Sequence, residues 1–168
     1  MIVLEPAHLR EIVSDCERAF PDEACGLLVG RTEGACAARA VHVAEVAKSA
    51  NVAEDHRGER FEIDPALRLR LERTLRGTPR GVVGLYHSHP GGSAQASAAD
   101  LERAWEPDLA WLIVSVLDGQ AVQATANLIV NDAGGAYFAE VPLRTSNWRE
   151  TGRGAPIEAR GFDLPDPN

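Results

Sequence analysis

The segment Gly81-Val-Val-Gly-Leu-Tyr-His-Ser-His-Pro90 decides how the middle of this sequence folds. Residues 81–86 carry no charge and are mostly β-branched, aliphatic or aromatic, which predicts a buried strand. Pro90 lacks an amide hydrogen for the next sheet hydrogen bond, and two glycines follow it, so the strand is expected to end there. His87 and His89 therefore lie at the end of a core strand.

The C-terminal half predicts one helix and three more strands. A helix is expected over residues 97–105, and the unbroken apolar run Ala110–Leu117 is typical of a central strand. Residues 121–130 and 136–141 predict an edge hairpin that turns through residues 131–135.

The N-terminal half begins with a short strand, Ile2–Leu4, and a helix, Pro6–Ala19, whose apolar residues recur at helical spacing. Pro21 closes this helix. Residues 26–30 and 39–46 predict two strands that pair with each other.

A polar loop leads into a second helix. Residues 49–60 are polar and charged, which predicts an exposed loop. Asp64 supplies a helix N-cap, and Pro65 occupies the first helical position. Three leucines at four-residue spacing give this helix a buried stripe: Leu67, Leu71 and Leu75.

This order of elements predicts one domain of the α/β (α+β) class, in which helices lie on both faces of a mixed β-sheet. With 168 residues and 45% hydrophobic content, the chain can bury one substantial core but not two. We place the domain at residues 1–144. Residues 145–168 lose periodicity and gather Gly and Pro, so we expect a C-terminal tail compatible with disorder, whose Trp148 can still dock on the domain.

The composition limits the classes of partner and the cellular compartment that we expect for this protein. No stretch of about 20 apolar residues and no export signal is present, so a soluble protein with no membrane partner is expected. The net charge of -8 argues against nucleic acid as a partner. Cys16, Cys25 and Cys36 form neither a disulfide framework nor a C-x-x-C pair; we expect small buried hydrophobes in a reducing cytoplasm. The oligomeric state is not determined by the sequence.

The two histidines form a candidate pair of metal ligands. Side chains two apart on a strand project from the same face, so His87 and His89 can converge on one ion. Pro90 biases His89 toward extended geometry and preserves this alternation. The pair is equally compatible with two polar residues that leave a core strand for solvent.

Ser97 and Asp100 open the next helix and supply a third candidate ligand. Ser-x-x-Asp is also an ordinary helix-capping pattern, and taken alone that interpretation is favoured. Asp100 nevertheless lies one turn into the helix, where its carboxylate can point toward the histidines. His87, His89 and Asp100 then make a three-ligand zinc site with one position open for water, which is the catalytic pattern.

A catalytic zinc site also needs a general base. Zinc held by two neutral ligands and one carboxylate keeps about one unit of positive charge and lowers the pKa of bound water to about 7. Asp22 and Glu23 precede the strand predicted over residues 26–30, and a carboxylate at that strand's edge can reach such a water. By themselves, two adjacent acids are typical of a protein surface.

Together these segments resemble one family. His87-Ser-His89-Pro90, six residues, and Ser97-Ala-Ala-Asp100 match the signature of the JAMM (MPN+) zinc metalloproteases, His-Ser/Thr-His-Pro followed by Ser-x-x-Asp. Residues 21–30 look like the family's upstream Glu segment, and residues 61–65 look like its lead into the second helix. The resemblance spans roughly residues 9–130, and the order and spacing of its parts make it specific.

The resemblance implies a fold, a set of roles and a reaction. The implied fold is a mixed sheet sandwiched by helices, similar to that of cytidine deaminases. Zn²⁺ would be held by His87, His89 and Asp100, Glu23 would be the base that activates water, and the Ser97 hydroxyl would support the oxyanion. The implied reaction is hydrolysis of a peptide or isopeptide bond after the C-terminal Gly-Gly of a ubiquitin-like protein.

Two departures from the family pattern bear on loops and substrate. Ala96 stands where proline is common in the family, which affects loop rigidity more than chemistry. The loops over residues 49–60 and 118–121 are short, whereas deubiquitinating members carry insertions that hold two ubiquitins. The sequence thus resembles the compact prokaryotic branch, and the implied partners are ubiquitin-like sulfur-carrier proteins or their conjugates.

Three other functions fit the sequence less well than a zinc peptidase of the JAMM type. A non-catalytic scaffold of the same fold is disfavoured because all metal and base positions are present. Deamination requires His-x-Glu and Pro-Cys-x-x-Cys, and neither pattern occurs. A zincin-type protease requires His-Glu-x-x-His, which is also missing.

Overall fold

A computed structural model describes residues 1–34 and 39–146. Within these ranges one sheet of eight strands is accompanied by three helices. The helices are α1 (Pro6–Ala19), α2 (Pro65–Leu75) and α3 (Ala98–Glu102). The strands are β1 (Ile2–Leu4), β2 (Cys25–Glu33), β3 (Ala40–Ser49), β4 (Gly81–Pro90), β5 (Ala110–Leu117), β6 (Gln120–Asp132), β7 (Gly135–Val141) and β8 (Leu143–Thr145).

The sheet is mixed, as predicted. Its strand order is β7-β6-β5-β4-β2-β3-β1-β8. β4 runs parallel to β5, and β1 runs parallel to β3 and β8, whereas the other neighbouring pairs are antiparallel. β4 therefore lies inside the sheet, with hydrogen-bonded strands on both sides.

Helices cover both faces, which confirms the predicted fold class. On one face, α1 packs Leu9, Ile12 and Cys16 into the larger hydrophobic cluster. On the other face, Leu67 and Leu71 of α2 pack in a cluster with Leu27, Leu85 and Trp111. Asp64 caps α2 through a 2.8 Å hydrogen bond that its side chain accepts from the Ala66 amide. No helix in the described part of the chain has the length and apolar character needed to span a membrane.

β4 ends at Pro90, as predicted, and includes both histidines. His87 pairs with Cys25 of β2 and Ile113 of β5, and His89 pairs with Ser115 of β5. The strand geometry that places alternate side chains on one face thus extends to both imidazoles.

The predicted third helix is wrong at its C-terminal end. α3 ends at Glu102, and the Arg103 amide donates to the carbonyls of Asp100 and Leu101. Beyond it, the Ala104 amide donates to the Leu101 carbonyl and the Trp105 amide donates to the Arg103 carbonyl, so the backbone turns more tightly than an α-helix. Trp105 is instead 87% exposed.

β2 is longer than predicted because Gly30 is not a strand terminus. The register with β3 shifts between Val29 and Gly30, and a Cβ at position 30 would collide with the backbone of His42. This glycine allows close approach of two strands at an irregularity, and β2 continues beyond it to Glu33.

The edge strand β8 was not predicted. Leu143–Thr145 pairs in parallel with β1, and β8 begins within the last residues assigned to the domain. A boundary at residue 144 stays a prediction, and docking of Trp148 falls outside the described residues, as does Cys36. Cys16 and Cys25 are buried free thiols, as expected.

Candidate metal centre

The end of β4 brings two imidazoles together. His87 and His89 project from the same face of the strand, and their Nε2 atoms lie 2.9 Å apart. His87 is completely buried, whereas His89 is partly exposed. One candidate ligand is thus fixed within the core, and the other borders solvent.

Asp100 approaches both histidines from α3. Its Oδ1 lies 3.2 Å from Nε2 of His87, and its Oδ2 lies 3.5 Å from Nε2 of His89. The candidate ligand atoms of the three residues all lie within 4.8 Å of one another. Tetrahedral zinc with bonds of about 2.0–2.1 Å would place its ligand atoms about 3.3 Å apart, so these separations fit such an ion.

A hydrogen bond fixes which nitrogen of the His89 ring faces His87 and Asp100. Its Nδ1 lies 2.8 Å from the Ser93 carbonyl oxygen, which can only accept, so Nδ1 carries the hydrogen and the neutral ring presents a lone pair at Nε2. A second ring nitrogen bonded to a carbonyl is the usual support of a metal-binding histidine. Burial acts against the charged form of His89, but bonds to Asp100 and Ser93 raise its pKa.

His87 is held by aromatic packing instead. Phe61 stacks on the ring with 4.5 Å between centroids, and Trp111 meets it edge-on at 5.7 Å. Burial lowers the pKa of His87 and keeps it neutral. Its Nδ1 is buried with no hydrogen-bond partner among residues 1–34 and 39–146. The lone pairs of His87 and His89 and the negative charge of Asp100 converge on one point. A shared proton or a metal ion at that point gives all three groups a positive partner.

Ser97 and Asp100 form a capping box that also orients the carboxylate. The amide and hydroxyl of Ser97 each donate to Asp100 Oδ2 at 2.7 Å, and the Asp100 amide donates to Ser97 Oγ at 3.0 Å. Burial acts to raise the pKa of Asp100, yet the bonds from His87, His89 and Ser97 outweigh it and hold this pKa below its usual range. Capping and alignment toward the histidines are therefore compatible.

Two residues that were not predicted to be functional bind the segment between His89 and Ser97 to the sheet. The Ser115 hydroxyl donates to the Gly92 carbonyl, and the Thr125 hydroxyl donates to that of Ala94. Both hydroxyl residues are buried. Polar residues at inward positions of otherwise apolar strands were the signal that could have revealed them.

Glu23 is buried beside the centre, whereas Asp22 is exposed. Glu23 Oε2 has no hydrogen-bond partner in the described ranges. Burial raises the pKa of Glu23 to about 7; the charge of Asp100 acts in the same direction, and that of His89 opposes it. A carboxyl group with this pKa can accept a proton near neutral pH, as a general base requires.

The structure thus brings the five predicted residues into one region. The candidate metal ligands converge, Ser97 contacts Asp100, and Glu23 interacts electrostatically with His89 and Asp100. The Ser97 hydroxyl is directed at Asp100 rather than at open space, so support of an oxyanion stays a prediction.

Comparison with known families and curated proteins gives concordant matches. Residues 5–127 match the family of prokaryotic homologs of the JAB domain. The chain is 26% identical over 133 residues to the CysO-cysteine peptidase of Mycobacterium tuberculosis, covering 79% of this chain and 86% of that protein. It is 34% identical over 95 residues to the desampylase of Haloferax volcanii, covering 56% and 63% respectively.

Solved structures share the same fold. A Desulfitobacterium hafniense protein solved in solution is 31% identical with a TM-score of 0.68, over 87% of this chain and 94% of that one. A Salinibacter ruber protein is 27% identical with a TM-score of 0.60, over 94% and 98%. Glu23, His87, His89, Ser97 and Asp100 all fall within the residues that match the family.

Proposed function

The chain belongs to the prokaryotic branch of the JAB (JAMM) family, and from this premise we propose that it is a zinc-dependent peptidase acting on ubiquitin-like sulfur-carrier proteins. Membership and the names of its relatives support a hydrolase. The observation that carries the proposal is the convergence of His87, His89 and Asp100 beside the buried Glu23.

The donor set fits zinc. Two imidazole nitrogens and one carboxylate oxygen are ligands that zinc uses in catalytic sites, with a further position left for water. When bound, zinc supplies the positive charge that acidifies water and polarises a carbonyl group. His87 and His89 would hold it as neutral ligands and Asp100 as an anionic one.

Glu23 would move the protons of the reaction. Its buried carboxylate accepts a proton from the attacking water and then delivers it to the departing amine, so the residue ends the cycle as it began. The raised pKa of about 7 supports this role because such a group both binds and releases a proton near neutrality. The Ser97 hydroxyl would donate to the oxygen that gains negative charge.

The substrate class follows from the relatives and from the geometry of glycine. The names CysO-cysteine peptidase and desampylase support an action on carrier proteins of the ubiquitin-like type. We propose cleavage directly after a C-terminal Gly-Gly, whose lack of Cβ atoms lets an extended tail pass close to the walls of the site. Peptide and isopeptide bonds are both compatible with this chemistry.

Cleavage of a defined carrier tests the proposal. A ubiquitin-like sulfur carrier from the same genome, extended beyond its Gly-Gly, is incubated with the zinc-loaded protein and the products are weighed by mass spectrometry. We expect a single cut after the second glycine and no cut when Gly-Gly is changed to Ala-Ala. Equal cutting of the Ala-Ala carrier would indicate a general peptidase, and a failure to cut any carrier would favour the non-catalytic scaffold.

A further inference from the structure

The backbone of Glu23 is fixed by a loop that contains no candidate metal ligand. The Glu23 amide donates to the Arg57 carbonyl at 2.6 Å. The Glu23 carbonyl accepts from Nδ2 of Asn51 at 3.1 Å. Both polar groups of the Glu23 backbone therefore bond to the segment between β3 and α2.

The side chain of Asn51 holds this loop together. Its Nδ2 also donates to the Arg60 carbonyl at 2.9 Å. Its Oδ1 accepts from the amides of Ala53 at 3.2 Å and Glu62 at 3.1 Å. A carboxamide offers two donor hydrogens and two acceptor lone pairs, and all four are used here. One side chain thus joins the beginning and the end of the loop to Glu23.

The next residue, Ala24, is bonded to the strand that carries the histidines. The Ala24 amide donates to Ser88 Oγ at 2.9 Å, and the Ser88 amide donates to the Ala24 carbonyl at 3.1 Å. Ser88 lies between His87 and His89 and is fully buried. The Glu23–Ala24 backbone is consequently held between the Asn51 loop and the candidate metal centre.

These backbone hydrogen bonds matter because the Glu23 carboxylate has an oxygen atom that no hydrogen bond holds in place. Oε2 is buried with no hydrogen-bond partner in the described part of the chain. Because Oε2 makes no hydrogen bond that could hold the carboxylate in place, the position of the carboxylate depends more strongly on the backbone.

We propose that Asn51 is a positioning residue for the general base, an inference that rests on the proposed role of Glu23. It acts through the Glu23 carbonyl, and its four side-chain hydrogen bonds all go to backbone groups outside the candidate ligands. A displacement of about 1 Å in a catalytic group lowers turnover by up to about a hundredfold. Loss of this support should therefore lower kcat and leave metal content unchanged.

The matched variant is Asn51→Asp. Aspartate has the shape of asparagine and keeps both acceptors for the amides of Ala53 and Glu62, but it loses the donors to Glu23 and Arg60. We expect kcat to fall about tenfold to a hundredfold, with KM and zinc content near those of the wild type. Arg60→Ala is the control, because it removes an exposed side-chain pair with Asp55 in the same loop and keeps the Arg60 carbonyl.

A double-mutant cycle separates positioning from general destabilisation. In a protein that already carries Glu23→Gln, Asn51→Asp should produce no further loss of kcat, because the group that it positions no longer acts. A further tenfold loss in the double variant would show a role independent of Glu23 and overturn the inference. Asn51→Ala supplies the same comparison if the aspartate variant does not fold.

Hydrogen exchange of the metal-free protein gives a reading that does not depend on activity. Asn51→Asp should accelerate exchange of the Glu23 and Ala24 amides about tenfold or more, while the amides of β4 and β5 keep their protection. Full activity of Glu23→Gln would overturn the proposed role of Glu23 and, with it, the premise of this inference. The inference alone would be overturned by a different result: Glu23→Gln is impaired, but Asn51→Asp keeps full activity and the exchange rates of both amides are unchanged.

Discussion

Substituting Glu23 by glutamine separates proton transfer from metal binding. Glutamine keeps the size and polarity of the side chain but cannot accept a proton at neutral pH. Loss of a general base is worth about a hundredfold to ten-thousandfold in rate. This corresponds to about 3–5 kcal/mol of transition-state stabilisation at 1.36 kcal/mol per factor of ten. Zinc should remain at the wild-type level because the substituted residue is not one of the three candidate ligands.

The same substitution has a second expected effect on the metal-free protein. Burial raises the pKa of Glu23 from 4.5 to about 7, so the folded state retains a proton that the unfolded state releases. Stability from this group is fully present below about pH 4.5 and is lost as the pH rises through 7. The loss amounts to at most about 3 kcal/mol. Glutamine avoids it, so the variant should gain stability over the wild type between pH 5 and 8.

Three measurements on Glu23→Gln check both effects: single-turnover cleavage of the extended carrier, elemental analysis of zinc, and urea unfolding of chelator-treated protein across that pH range. Asp22→Asn is the matched control, because the neighbouring Asp22 is exposed. Turnover within threefold of the wild type would refute the assignment of Glu23 as the base. If the difference in unfolding free energy between the variant and the wild type does not change with pH, the Glu23 carboxyl does not keep its proton in the folded state as we expect.

The remaining predictions concern the ligands, the oxyanion and the core. His89→Ala removes one candidate ligand, so the purified variant should retain much less than one zinc per chain by elemental analysis, and an unchanged content would mean that His89 is not a ligand. Ser97→Ala should lower turnover less than Glu23→Gln does and should cost about 1 kcal/mol of stability, because a helix cap is lost together with a hydroxyl donor. Its kinetics must be paired with thermal melts, and a full rate at equal substrate concentration would exclude the oxyanion role. Tyr86→Phe deletes the 2.7 Å hydrogen bond that the buried Tyr86 donates to Asp15, so it should cost about 1–2 kcal/mol in urea unfolding at unchanged zinc content; an equally stable variant would contradict this.

Local patterns were sufficient for the elements that bury a regular stripe or an unbroken apolar run. Pro6–Ala19 and Ala110–Leu117 have the bounds that their periodicity and apolar character predict. The hairpin of β6 and β7 also lies at an edge of the sheet as expected, although its strands extend further into the turn. In these segments local propensity and tertiary packing favour the same structure.

Features that depend on distant partners were not predictable from the sequence. Gly30 resembles a strand terminus, and only the approach of the His42 backbone explains its presence within β2. β8 has three residues, too few for a periodic signal, and it is stabilised by pairing with β1. α3 was predicted too long because the sequence does not show where the backbone changes from helical to tighter turns after Glu102.

In the candidate site, too, some features could be predicted from the sequence and others could not. Strand alternation is local geometry and placed His87 and His89 on one face, whereas the approach of Asp100 was only allowed by its place in the helix and was predicted from the family resemblance. The burial of Glu23 was not evident, since an acidic pair before a strand is typical of a surface. Asn51 gave no signal at all, because a polar residue in a polar loop is ordinary until its four hydrogen bonds are seen.

Zinc titration of the metal-free protein tests the central claim most directly. The protein is stripped with a chelator, zinc is returned in known amounts, and the initial rate of cleavage of the Gly-Gly-extended carrier is measured at each addition. We predict no cleavage without metal and a linear rise in rate that stops at about one zinc per chain, as expected for a single three-ligand site. A stripped protein that cleaves at the full rate, or a rate that zinc does not change, would contradict the account.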